Sequence, residues 1–170
     1  MEPRPIIKLE LSTSDKILEF AGWLTILLVW VLTFANYKIL PDQIPTHFNA
    51  AGVADGYGAK WMIFTLPLVS TVVFVGLTIL NKYPHIFNYL TTITESNAQR
   101  EYTNATKLIR GLKFAIAFVF GLIAYQTIQH ATRQTQELGV WFFPLVVGLV
   151  FVPVILYFTQ SIHNSRSKEK

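Results

Sequence analysis

The stretch FAGWLTILLVWVLTFANY, residues 20–37, carries no charged side chain over 18 positions. A helix needs about 20 consecutive apolar residues to cross the hydrocarbon core of a bilayer. Three further uncharged runs follow, at 61–81, 114–132 and 138–162, of 21, 19 and 25 residues. Four such runs in 170 residues describe an integral membrane protein. They exclude a cytosolic enzyme, a secreted disulfide scaffold and a disordered chain. The composition agrees: 52% of residues are apolar and 14% charged, where roughly 25% charged is usual for soluble domains.

The chain has no cysteine, which removes disulfides, thiolate nucleophiles and zinc–thiolate sites. Its formal charge of +4 sits outside the four runs, so a membrane explains it better than nucleic acid does. Residues 1–16 are polar and mixed in charge, and the first run is too long for a signal-peptide core. It reads as an uncleaved anchor. With four spans, the two tails and the second loop share one side. That side holds eleven of the 14 Lys and Arg residues, and the other holds three. Positive charge stays in the cytoplasm, so the N and C termini are expected to be cytoplasmic. Tyr37, Trp61 and Trp141 fall at the expected outer boundaries, where aromatic belts form.

The fold class expected is all-α, a polytopic four-helix bundle with spans at about 17–40, 61–80, 111–131 and 139–162 and a tail at 163–170. Ser12, Thr13, Ser14 and Asp15 offer N-caps for span one, and Pro41 ends it. Ile7, Leu9 and Leu11 alternate with Lys8 and Glu10, as in a short strand or an interface-lying segment. Pro67 predicts a kink in span two, and Pro144 and Pro153 predict breaks in span four. Thr92 and Glu95 match a capping box. Ala98, Tyr102, Ala105, Ile109 and Leu112 then recur on one helical face. One helix from Ile93 to His130 is expected, with a cytoplasmic extension over 93–110. Its stripe either packs on the ends of helices one and two or binds a cytoplasmic partner.

Ionisable groups at membrane depth cost about 2.5–3.5 kcal/mol each, and the central parts of all four spans have none. Glu19 and Lys113 lie near the inner ends. This counts against a pump or channel, and leaves an oligomeric small-solute permease as a remote alternative.

Candidate chemistry is concentrated in the first loop, LPDQIPTHFNAAGVADGYGAK, residues 40–60. Two prolines stiffen it and three glycines permit close backbone approach. His47 and Asp55 stand eight apart with Gly52 between, so a fold-back brings them together. With His130 and Glu137 from the third loop they make a donor set suited to zinc or a similar divalent metal, although the spacing is no known metal motif. Alternatively Asp55 pairs with Lys60 or caps a turn, and His47 bonds loop backbone. No serine has a G-x-S-x-G setting.

This loop resembles the signature of a bacterial membrane domain of unknown function, which also forms the N-terminal part of SdpI-type immunity proteins. The resemblance rests on Leu40, Pro41, Ile44, Pro45, His47, Phe48, Asn49, Gly52, Asp55, Gly56 and Lys60, with Pro67 beyond. It extends to 8–16, 81–89 and 97–113, as in short stand-alone members. SdpI-type proteins protect a cell from a secreted toxic peptide and signal by sequestering a repressor. The resemblance therefore implies an immunity- or signalling-like protein of the bacterial inner membrane, without cofactor. The additional C-terminal helices of the longer immunity proteins are missing here. A peptide or other ligand would meet the loop motif His47, Asn49, Gly52, Asp55 and Lys60, and no nucleic acid is implied. A metal-dependent membrane enzyme using His47 and Asp55 is the alternative.

Overall fold

The computed structural model describes residues 4–49, 51–133 and 141–166. Its helices are α1 (Thr13–Asn36), α2 (Thr65–Leu80), α3 (Ala98–Arg133) and α4 (Phe142–Arg166). Two strands, β1 (Gln43–Phe48) and β2 (Ala54–Ala59), lie between α1 and α2 and pair antiparallel. Four helical segments are long and apolar enough to cross a membrane: Thr13–Ile39, Lys60–Leu80, Ala98–Thr132 and Phe142–Thr159. This is a mostly helical, multi-pass membrane protein. The first loop adds a β-hairpin to the all-α expectation.

Helix α1 starts because Ser12 caps it. Ser12 Oγ accepts the Asp15 N–H at 3.3 Å, and Asp15 Oδ2 accepts the Ser12 N–H at 3.0 Å. This reciprocal box satisfies two orphan donors. The helix tightens into a 3-10 turn at Tyr37–Ile39 and stops before Pro41. Helix α2 follows a 3-10 segment, Lys60–Phe64, and carries Pro67 as its third residue. A proline there removes no helical hydrogen bond, and the kink expected at Pro67 falls next to the passage from 3-10 to α. Helix α4 is one assigned helix through Pro153, with Pro144 in its first turn, where two breaks were expected.

Helix α3 also begins later than the sequence suggests. Thr92 and Glu95 do not form a capping box. Asn97 takes over: its Oδ1 accepts the Thr94 N–H at 2.8 Å and its Nδ2 donates to Thr92 O at 2.9 Å. The helix then runs unbroken to Arg133.

Helix α3 is the hub on which α1, α2 and α4 pack. Buried alanines at 98, 105, 115, 117 and 124 keep its surface low, which lets helices approach closely in lipid. Three apolar layers stack along it. At the hairpin end Leu40, Ile44, Ile63 and Ile128 meet. In the middle Ile26, Phe74 and Ala117 meet. At the opposite end Ile93, Ala98 and Tyr102 are covered by Ile7, Leu9 and Tyr89. The 7–11 segment is therefore an extended strap that packs on α3 through Ile7 and Leu9, while Leu11 is exposed. Arg4 Nη1 ties it down by donating to His85 O and Phe87 O at 3.1 and 2.6 Å. Tyr102 Oη–H donates to Pro5 O at 3.1 Å. Burial raises the pKa of the Tyr89 hydroxyl well above its ordinary value, so it remains a donor, to Pro84 O at 2.8 Å.

The threonines of the spans mostly bond their own helix. Thr25, Thr33, Thr71 and Thr78 each donate to the carbonyl four residues back, at 2.7–2.8 Å. Trp30 Nε1–H bridges α1 to α2 by donating to Thr71 Oγ1 at 3.0 Å.

Candidate functional site

The 40–60 loop is built by its own polar residues. Asn49 Oδ1 accepts the N–H groups of Ala51 and Val53 at 3.0 and 3.1 Å, which shapes the turn. Gly52 has φ 79°, a left-handed conformation that side-chain-bearing residues avoid. Gly56 lies opposite His47, and a Cβ on it would stand 2.9 Å from His47 Cβ. Gly52→Ala is therefore expected to destabilise the hairpin by about 1 kcal/mol, read as faster amide exchange at 43–59 with α1 and α2 unchanged.

The hairpin brings His47 and Asp55 together, with His47 Nδ1 hydrogen-bonded to Asp55 Oδ1. Both are exposed. Lys60 pairs with Asp42, not with Asp55: Nζ lies 3.1 Å from Asp42 Oδ1 and 5.9 Å from the Tyr37 ring centroid. This pair closes the base of the hairpin, where Lys60 N–H also donates to Asp42 O at 3.0 Å. His130 is buried on α3, its ring 5.4 Å from that of Phe48. Glu137 lies outside the described residues. Among the described residues, no three His, Cys, Asp or Glu side chains are grouped as metal ligands would be.

Beneath the hairpin is a cleft of about 600 Å³. Pro45 and Phe48 roof it, Met62 and Leu66 form one wall, Ile123 and Thr127 of α3 a second, and Phe142 and Phe143 of α4 a third. Its volume lies within the usual range of small-molecule sites. No Asp, Glu, Lys or Arg lines it. The arrangement can hold an apolar group and offers hydrogen bonds at the hairpin edge.

At the other end of the bundle the structure holds a feature the sequence reading missed. Asp15 and Glu19 of α1 face Arg110 and Lys113 of α3 across a buried contact. Arg110 Nη1 stands 3.3 Å from Asp15 Oδ1, and its Nε 3.3 Å from Glu19 Oε1. Lys113 Nζ donates to Glu19 Oε2 and Oε1 at 2.7 and 2.8 Å and to Thr78 Oγ1 at 2.7 Å. It also lies 4.6 Å from the Phe74 ring centroid, within cation–π range. The signal was available: acids spaced i, i+4 on one helix and bases spaced i, i+3 on another share the same end. Two acids face two bases here, so the group ties α1 to α3.

The stripe on α3 is likewise used internally. Ala98, Tyr102 and Ala105 are buried, and the exposed side of 98–110 carries Gln99, Arg100 and Lys107.

Residues 24–71, which span the second half of α1, the hairpin and the start of α2, match a family described as a domain of unknown function, DUF1648. An uncharacterized protein of Archaeoglobus fulgidus is 24% identical over 161 residues, covering 87% of each chain. No solved structure matches the chain.

Proposed function

We propose that this is a non-enzymatic protein of the bacterial cytoplasmic membrane that binds a peptide ligand at the outer surface through residues 41–60, in an immunity- or signalling-like role. The observation that carries this reading is the hairpin itself. Its own motif residues hold it over an apolar cleft bounded by three helices. The resemblance of the loop to that of SdpI-type immunity proteins points the same way. The lysine and arginine census supports an orientation with both termini and the 81–97 segment inside and the hairpin outside. Helix α3 is continuous from the hairpin contact to Tyr102 and the N-terminal strap, so a ligand that shifts the hairpin has a rigid path inward. A cytoplasmic partner would meet the Gln99, Arg100 and Lys107 side.

Because the chain has no cysteine, single-cysteine variants test the orientation cleanly. Tyr57→Cys is expected to react with a membrane-impermeant maleimide in intact cells. Lys82→Cys and Ser14→Cys are expected to react only after permeabilisation, and the reverse pattern would overturn the topology. For the ligand, p-benzoylphenylalanine at Tyr57 is expected to form a photoadduct with a secreted peptide in living cells. The adduct is expected to vanish when Gly52→Val spoils the turn. Failure to find any such peptide adduct counts against the reading.

The paired His47 and Asp55 keep one second reading in view, a metal-dependent enzyme. Zinc sites take three or four protein ligands. Purified protein is expected to hold less than about one-tenth equivalent of metal, with His47→Ala unchanged; a stoichiometric metal lost on that substitution would favour the enzyme.

A further inference from the structure

We propose that the cleft under the hairpin binds a single-tailed amphiphile with an uncharged, hydrogen-bonding head group, such as a monoacylglycerol, which enters from the bilayer. This rests on the ligand-binding reading of the same site and narrows it to a chemical class.

The first argument is the polarity gradient along the bundle. Thr46, His47 and Asn49 edge the cleft at the hairpin. Leu66 and Ile123 line it farther from the hairpin. Ile123 lies ten residues before the end of α3, about 15 Å along the helix axis. The cleft therefore runs from the hairpin down to the level of Ile123 on α3, with the first turns of α2 and α4 as its other walls. A peptide lying on the surface would fill only the upper part. A molecule with a polar head and a hydrocarbon tail matches both parts.

The second argument is charge. At the head end stands His47, hydrogen-bonded to Asp55. The cleft lining itself holds no lysine or arginine. A phosphate head would find no cation among the residues lining the cleft, and burying an unpaired charge is costly. A hydroxyl or amide head meets hydrogen-bonding partners without that cost.

The third argument is access. The wall formed by Phe142 and Phe143 belongs to α4, whose apolar span contributes no buried residue to the structure. Helix α4 packs mainly on α3, so the cleft is bounded by a peripheral helix on the lipid side. A lipid-soluble molecule reaches it without crossing water.

The test uses the full chain in liposomes and a monoacylglycerol with a diazirine in mid-chain. The expected result is saturable photolabelling of peptides that contain residues 123–127 and 142–144. Labelling should fall at least tenfold with Ile123→Trp, which fills the cleft, and stay unchanged with Val72→Trp on the exposed face of α2. Leu66→Trp serves as a second filling variant if Ile123→Trp fails to fold by circular dichroism. A phosphatidylglycerol carrying the same diazirine tail is expected to label the cleft at least tenfold less. Three outcomes overturn the proposal: labelling that rises linearly with probe and spreads to Val72, labelling indifferent to both filling variants, or equal labelling by the anionic probe. The Tyr57 photoadduct separates the two failures. A peptide adduct without saturable lipid labelling sinks the amphiphile and leaves peptide binding standing. Saturable lipid labelling without any peptide adduct supports the amphiphile and replaces the peptide.

Discussion

Lys113→Ala is expected to destabilise the protein by about 3–5 kcal/mol, measured by denaturant titration in detergent micelles. The side chain is 0% exposed and its ammonium donates to both oxygens of Glu19 and to Thr78. Truncation leaves Glu19, itself only 23% exposed, with Arg110 as its one remaining cation, and leaves a hole beside Phe74. An exposed pair would cost far less, roughly 0–1 kcal/mol, so the size of the loss reports whether the tie is buried. The double variant Glu19→Leu, Lys113→Leu is expected to lie closer to wild type than either single change, because no unpaired charge remains. A loss below about 1 kcal/mol, or a double variant as unstable as the two singles summed, would refute the tie.

Gly22→Leu is expected to cost at least about 3 kcal/mol, the upper end of overpacking losses. Gly22 is buried on α1, and a Cβ placed there would stand 2.5 Å from Phe74 Cζ. Phe74 cannot swing aside: it is 1% exposed, with Trp23 edge-on at 4.9 Å and the Lys113 ammonium on its face at 4.6 Å. The intruding side chain must push α1 away from α2. Phe74→Ala alone is expected to cost about 3–5 kcal/mol through the cavity it leaves. In combination the two should recover at least about 1 kcal/mol relative to their sum, since each relieves the other's defect. Strict additivity would mean that Gly22 and Phe74 do not share one contact.

The spans were legible from residues 20–37 onward because absence of charge over bilayer length is a one-dimensional signal. The ends of α1 were legible too, since Ser12 and Asp15 form a local box and Pro41 acts on its neighbours alone. The start of α3 misled: Thr92 and Glu95 have the right spacing, but the Asn97 side chain folds back on the Thr94 N–H and the Thr92 carbonyl, and the helix starts after it. Spacing alone does not reveal such a turn. In the loop, the fold-back of His47 onto Asp55 followed from the turn residues. The partner of Lys60 did not, because Asp42 and Asp55 are both within reach of it in sequence and the register decides. The cleft was invisible, since its walls come from segments as far apart as Pro45 and Phe143. The buried tie was half visible. Arg110 and Lys113 were counted as inward-facing positive charge, and a census of side does not say which charges turn into the bundle.

That tie also bears on the order in which the chain is made. Asp15 and Glu19 leave the ribosome 95 and 94 residues before Arg110 and Lys113. At about 5–20 residues per second, the interval is roughly 5–20 s. For that time Asp15 and Glu19 lack the two cations that pair with them in the fold, and Lys16 is their neighbour on the same helix. The buried contact of α1 with α3 can form only once Arg110 and Lys113 have been made, so it is among the late contacts of synthesis, and shortening the 81–97 segment would bring it forward.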